Sequence, residues 1–184
     1  GSEMCIRDRT MTRLDSEKFE EYKAQAMEEL TAAGVTFPVH ARYFIAGGNQ
    51  TALDRANVLK QAFSDSFGDD FIVLDIDSYV SSLSKEVRDP RRQSFVINGW
   101  GADYGDPQNY LGQETNDGDN AYSMVAYGHA VDNESEELNA LYDEFTELVN
   151  KADAITDDLD ARYEAYADAE AFLIEHALTL PSNF

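Results

Sequence analysis

The sequence predicts an α/β fold, and three observations predict it. Val35, Phe37, Val39, Ala41, Tyr43 and Ile45 alternate with Thr36, Pro38, His40 and Arg42, the period-two pattern of a half-buried strand. Phe71-Ile72-Val73-Leu74-Asp75-Ile76 is a near-continuous apolar run, as expected of a strand covered on both faces. Segments of helical periodicity lie between and after these runs. A strand–helix–strand–helix–strand order at this spacing argues for three layers with right-handed crossovers.

Residues 16–33 read as an amphipathic helix, with Phe19, Tyr22, Ala26, Met27 and Leu30 in one stripe, Ser16 as N-cap and Gly34 as the stop. The strand over 35–45 comes next, and Pro38 marks it as an edge or a start. Gly47-Gly48-Asn49 turns the chain into a helix opened at Thr51, with Asp54 completing the capping pattern. Leu53, Ala56, Leu59, Ala62 and Phe63 face inward, and Gly68 ends it. After the strand at 71–76, residues 78–88 suggest a short helix closed by Asp89-Pro90, and 94–98 a further strand.

Two long helices close the chain. The first covers about 135–151, with Asn133 and Glu136 as a capping pair and Leu138, Leu141, Tyr142, Phe145, Leu148 and Val149 inward. The second covers about 157–177, with Leu159, Tyr163, Tyr166, Leu173 and Ile174 inward. Leu178-Thr179-Leu180-Pro181 is an apolar segment without a partner of its own. No repeat or low-complexity linker divides the chain, so residues 10–184 read as a single domain. Residues 1–9, Gly-Ser-Glu-Met-Cys-Ile-Arg-Asp-Arg, read as a cloning remnant.

Acids outnumber bases 36 to 14 in 184 residues, for a formal net charge of −22. That balance argues against nucleic acid and anionic membrane surfaces as partners, since both demand concentrated positive charge. With 43% apolar residues the charge excess does not signify disorder. The single cysteine, Cys5, precludes an intramolecular disulfide and a cysteine-based zinc site. No apolar run approaches the roughly 18 residues of a membrane span. Cys5 has no preceding apolar stretch of the kind that makes a lipobox, and no signal peptide is visible.

The stretch Asn98-Gly99-Trp100-Gly101-Ala102-Asp103-Tyr104-Gly105-Asp106-Pro107 carries the functional signal. It comes after a strand, holds the only tryptophan, and combines an aromatic wall, a carboxylate and a flexible backbone, where α/β proteins place ligands. Other patterns are weaker. Gly47-Gly48 before a helix lacks both glycine-rich phosphate signatures and reads as a loop with special backbone angles. Asp117-Gly118-Asp119-Asn120 lacks the register and closing Glu of a calcium loop. His40, His129 and His176 are scattered, and no G-x-S-x-G or H-E-x-x-H occurs. Neither a metal, a cofactor nor catalysis is expected.

Trp100, Ala102, Asp103, Tyr104, Pro107, Tyr110 and Leu111 resemble the W-x-A-D-Y-x-x-P-x-x-[FY]-L signature of extracytoplasmic oligopeptide-binding proteins, the solute-binding proteins (family 5) of ABC importers. Met27 to Gly34 with Phe37-Pro38-Val39, Ala56 to Phe63, and Tyr163 to Pro181 resemble flanking segments of the same family, so the resemblance spans most of 16–181. It implies a three-layer lobe of the type II periplasmic-binding-protein fold, a mixed sheet with flanking helices. This chain is then the C-terminal lobe alone, with the N-terminal lobe, signal peptide and most of the hinge missing. The implied partners are a peptide ligand and, for the intact lipid-anchored parent outside the cytoplasmic membrane, an ABC permease.

The resemblance also implies ligand-binding residues. Asp103 would pair with the peptide α-amino group, mostly cationic at neutral pH because its pKa is near ~7.7–8.0. A carboxylate there makes a charge-assisted hydrogen bond. The plainer role for Asp103 is to cap the turn before Asp106-Pro107. Trp100 is an apolar wall or a half-buried core residue, while Tyr104 and Asn98 serve either ligand or sheet. In family members that hold the peptide carboxylate with arginines, some come from the strand leading into this motif. Here the residue three before Trp100 is Ile97, which leaves open how that end is held, or whether it is held at all. Two other readings are a lobe for a sugar or metal complex, and an enzyme using Asp103 and Asp106 as acids.

Overall fold

The computed structural model describes residues 16–95, 100–116 and 135–179. These fall into two compact units, one within 16–95 and one within 100–179.

The first unit is built on a parallel strand pair. Helix α1 (Ser16–Ala32) is stopped where the sequence predicts: Gly34 has φ +81°, and Val35 N–H reaches back to Leu30 O at 2.9 Å. Only glycine takes that angle without strain, and the backward bond caps the last carbonyls. Strand β1 (Val39–Ala46) begins later than the pattern suggests, one residue after Pro38, which has no N–H to give a ladder. Helix α2 (Gln50–Phe67) carries the chain to β2 (Ile72–Tyr79). The strands pair in parallel, with Ala41 opposite Leu74 and Tyr43 opposite Ile76. A parallel pair requires such a crossover.

The N-cap of α2 is Asn49 rather than Thr51: its side chain accepts from Ala52 N–H at 3.0 Å. Asp54 instead accepts from Gln50 Nε2. Of the expected inward stripe, Ala56 is buried, while Leu53 and Ala62 are exposed. The segment 78–88 is not a regular helix but a π-helical turn, Ser84–Arg88, whose Val87 is buried.

The two sheet faces differ. On one, Tyr43 stacks on Phe95 (5.3 Å between centroids), Phe95 on Phe63 of α2 (5.7 Å), and Phe63 meets Phe67. Phe67 in turn contacts Phe19 of α1 and Phe71. Such offset aromatic contacts add to the area each ring buries. On the other face, His40 pairs with Asp75 at 2.8 Å and Arg42 with Asp77 at 2.6 Å, all about 40–60% exposed. The apolar run of β2 is thus covered on one face and salt-bridged on the other. Its alternation at Asp75 and Asp77 is the sequence trace of that difference. Ser94 hydrogen-bonds Arg42 through both backbone and side chain, beside β1 on the edge away from β2. Residues 96–98 of the expected third strand lie outside the described residues.

The second unit contains α3 (Gln108–Leu111), α4 (Glu136–Asp153) and α5 (Leu159–Glu175). Its core joins Leu111, Phe145, Val149, Ala152, Tyr166, Ala169 and Leu173. Residues 154–158 connect α4 and α5 into a helical hairpin. Ser135, not Asn133, caps α4 by accepting from Leu138 N–H, and Asp158 caps α5 by accepting from Ala161 N–H. Asn133 lies outside the described residues. The stripe on α5 is Tyr166, Ala169 and Leu173, whereas Leu159 and Tyr163 are 61% and 38% exposed. Leu178 does find partners, packing against the core and against Tyr142. Burial, with Glu114 nearby, pushes the Tyr142 phenol up to about 12.

One carboxylate fixes the exit from β2. Glu86 accepts from the backbone N–H groups of Val80, Ser81 and Ser82 at 2.7–3.0 Å and from the Ser81 hydroxyl at 2.8 Å. Those donors, Val80 foremost, hold its carboxyl down to about 2. A folded-state pKa below the unfolded one gives stability that is complete above the unfolded value and vanishes as pH falls through the folded one. Glu86→Gln should therefore lower the urea midpoint at pH 6, and the difference from wild type should vanish as pH approaches 2. A carbonyl-detected titration should place the Glu86 midpoint near 2; a midpoint above 4 would contradict the arrangement.

Candidate functional site

The loop from Trp100 to Pro107 has no regular structure, so side chains must fix its path. Asn109, on α3 and 3% exposed, does most of this. Its Oδ1 accepts from Trp100 Nε1 at 3.0 Å and from Asp103 N–H at 2.9 Å. A single buried amide oxygen thereby ties both ends of the Trp-Gly-Ala-Asp segment. Asn109 was not among the sequence candidates. Its only sequence trace is an amide placed between Pro107 and the apolar Tyr110-Leu111 pair.

Asp103 itself is exposed. Its backbone is held by Asn109, and no described group hydrogen-bonds its carboxylate. The turn before Pro107 is held instead by Asp106, which accepts from Gln108 N–H at 2.9 Å. Trp100 and Tyr104 are 42% and 49% exposed, so neither is a core residue, and Tyr104 donates its hydroxyl to Gln108. Asn98 lies outside the described residues.

Asp106 has a second function. Arg162 of α5 donates to it twice, from Nε and Nη2, each at 3.1 Å. The same guanidinium donates through Nη1 to the carbonyls of Ala152, Asp153 and Ile155, at 2.9–3.2 Å, and through Nη2 to Asp153 Oδ1 and the Tyr166 hydroxyl. Tyr166 completes the network by donating to Asp153. One cation thus joins the loop, carbonyls at and just past the end of α4, and α5. Arg162 is the sole Lys or Arg of α5, which was the available signal.

These contacts set the local electrostatics. Burial raises the Asp106 carboxyl, but the Arg162 bonds and the Gln108 amide outweigh it, leaving the pKa below the ordinary value. Arg162 is raised, chiefly by its bond to Asp106. Tyr166 is raised by burial and then by Asp153. Asp106 is committed to Arg162 and an amide rather than offered beside Asp103 as a second acid.

A groove of about 360 Å³ runs between this loop with α3 and the face of α5. Its walls include Tyr104, Pro107, Tyr110, Tyr163, Tyr166 and Glu170. Ala102 and Tyr104 line it while Asp103, between them, does not. In the other unit, a hollow of about 330 Å³ adjoins Gly47-Gly48 at the carboxyl ends of β1 and β2. Gly48 has φ +75°, so the glycine serves the turn itself. Among the described residues no cluster of three His, Cys, Asp or Glu is placed to hold a metal, and no helix is long and apolar enough to cross a membrane.

The tethered loop thus presents one exposed carboxylate and two half-exposed aromatic rings to solvent. In sequence the chain is related to bacterial oligopeptide-binding proteins. AliB of Streptococcus pneumoniae is 32% identical over 167 residues, 86% of this chain and 25% of that protein. SarA of Streptococcus gordonii is 29% identical over 176 residues, and AliA of Streptococcus pneumoniae 28% over 168. The chain spans about a quarter of the length of these curated relatives. No protein-family model matches it.

The two aspartates should behave oppositely in stability measurements. Arg162→Leu strands Asp106 and Asp153, 28% and 34% exposed. It should cost about 2–4 kcal/mol, below the full cost for buried pairs because solvent reaches both acids. Asp103→Ala should stay within about 0.5 kcal/mol of wild type. Urea denaturation followed by the Trp100 emission checks both.

Proposed function

We propose that this chain is a single α/β lobe, residues 10–184, the C-terminal lobe of a type II solute-binding protein that captures oligopeptides for an ABC importer. In this reading Asp103 receives the peptide's α-ammonium group. The observation that carries the proposal is the state of Asp103: an exposed carboxylate whose backbone is pinned from beneath, in a chain related to proteins named for oligopeptide binding. Trp100 and Tyr104 present faces to the first peptide residues, and the Asn98 side chain is a further contact.

A second lobe supplies the opposite wall, and the intact protein works outside the cytoplasmic membrane, lipid-anchored beside its permease. Ligand preference is dominated by the amino end, because Ile97 offers no charge to a peptide carboxylate. The acid/base enzyme reading loses its second acid to Arg162.

With one wall present, affinity should be low, on the order of millimolar, since cleft ligands gain binding by burial on all sides. NMR titration with a free-amine tetrapeptide should shift resonances of Asp103 and Trp100. Acetylating the peptide amine should weaken binding roughly tenfold, the worth of one charge-assisted bond near water. The same acetylation should change nothing further in Asp103→Ala, because both changes delete one interaction. Additive losses would remove Asp103 from the amine site.

A further inference from the structure

We infer that Asn109 is a positioning residue for ligand capture: its buried amide oxygen holds the Trp100 ring and the backbone from which the Asp103 carboxylate projects, without touching ligand. The inference rests on the amine-binding reading of Asp103.

The geometry is specific. Asn109 is 3% exposed, whereas both groups it holds reach solvent. An amide oxygen has two acceptor sites, and here both are filled, by an indole N–H at 3.0 Å and a backbone N–H at 2.9 Å. Both partners are obligate donors, so the oxygen, not the NH₂, must face the loop. The bond to the indole fixes ring orientation, and the bond to Asp103 N–H fixes the start of its side chain. The segment between contains Gly101, and nothing lies within 4 Å of where a Cβ on that residue would sit. Packing at Gly101 therefore does not fix the segment, and the two hydrogen bonds at its ends do.

Asn109 is itself held. Its N–H donates to Asp106 O at 3.1 Å, and its carbonyl accepts from Gln113 Nε2 at 3.4 Å. Asp106, in turn, accepts from Gln108 N–H at the start of α3 and is clamped by Arg162. A continuous series of polar contacts therefore runs from α5 through Asp106 and Asn109 to the backbone N–H of Asp103. Prior ordering of a binding group spares that ordering cost when ligand arrives. A loose loop would keep the same charge and lose the preference it confers.

Two variants and two readouts test this on the chain itself. Asn109→Leu removes the acceptor at similar volume, and Asn109→Asp keeps two acceptor oxygens in nearly the same shape. Hydrogen exchange at the Trp100 indole and the Asp103 amide should accelerate about tenfold in Asn109→Leu, as expected for loss of one net hydrogen bond. The preference for free-amine over N-acetylated tetrapeptide should fall toward parity although Asp103 remains. Asn109→Asp should restore both. If Asn109→Leu does not fold, Asn109→Ser, too short to reach either donor, takes its place.

Unchanged exchange at both sites, or a retained amine preference in a folded Asn109→Leu or Asn109→Ser, would overturn the inference. So would failure of a folded Asn109→Asp to restore protection. Absence of any amine preference in the wild type would instead sink the Asp103 reading, and with it the ligand part of this inference, while the exchange measurements would still judge the tether.

Discussion

The Arg162 guanidinium is the contact on which the second unit depends. Three segments with little reason to meet are joined by it: a glycine-rich loop, the end of α4 and the first turn of α5. An arginine suits this place because its donors form a rigid planar fork. A lysine would bring one compact charge and could not reach Asp106, the α4 carbonyls and Tyr166 together. The guanidinium also lies over the Tyr166 ring, 4.9 Å from its centroid, so its apolar face is used as well.

That contact separates two aspartates three positions apart in the chain. Asp106 is drawn inward and neutralised, its role structural. Asp103 projects to water on a backbone whose position Asp106 and Asn109 determine. Residue type does not decide between these roles; the partner across the fold does. Loops that bind ligands commonly show this division, with some polar groups committed to shaping the backbone so that others are left for the ligand.

Features set by short-range pattern are mostly legible in the sequence. The stop at Gly34, the two strands and the buried stripe of α4 all come from periodicity and backbone preference, which act over a few residues. Caps are harder, since Asn49 and Thr51, or Asn133 and Ser135, are equally able acceptors and the register of the helix decides between them. Tyr163 fits an inward stripe by spacing, yet it borders a groove because the neighbouring segment leaves space there. Arg162 and Asp106 are 56 residues apart, and no local rule pairs them. Asn109 escapes for the same reason: its importance lies in which two groups it faces.

The placement of charge bears on how the molecule answers to ionic strength. Arg162 is 16% exposed at its side chain, so counter-ions reach its partners poorly, whereas the Arg42–Asp77 pair is about 40% exposed and readily screened. Against that modest loss stands the mutual repulsion of an excess of 22 negative charges, which salt relieves. Brine therefore favours the compact state of this chain, and dilution into water strains it.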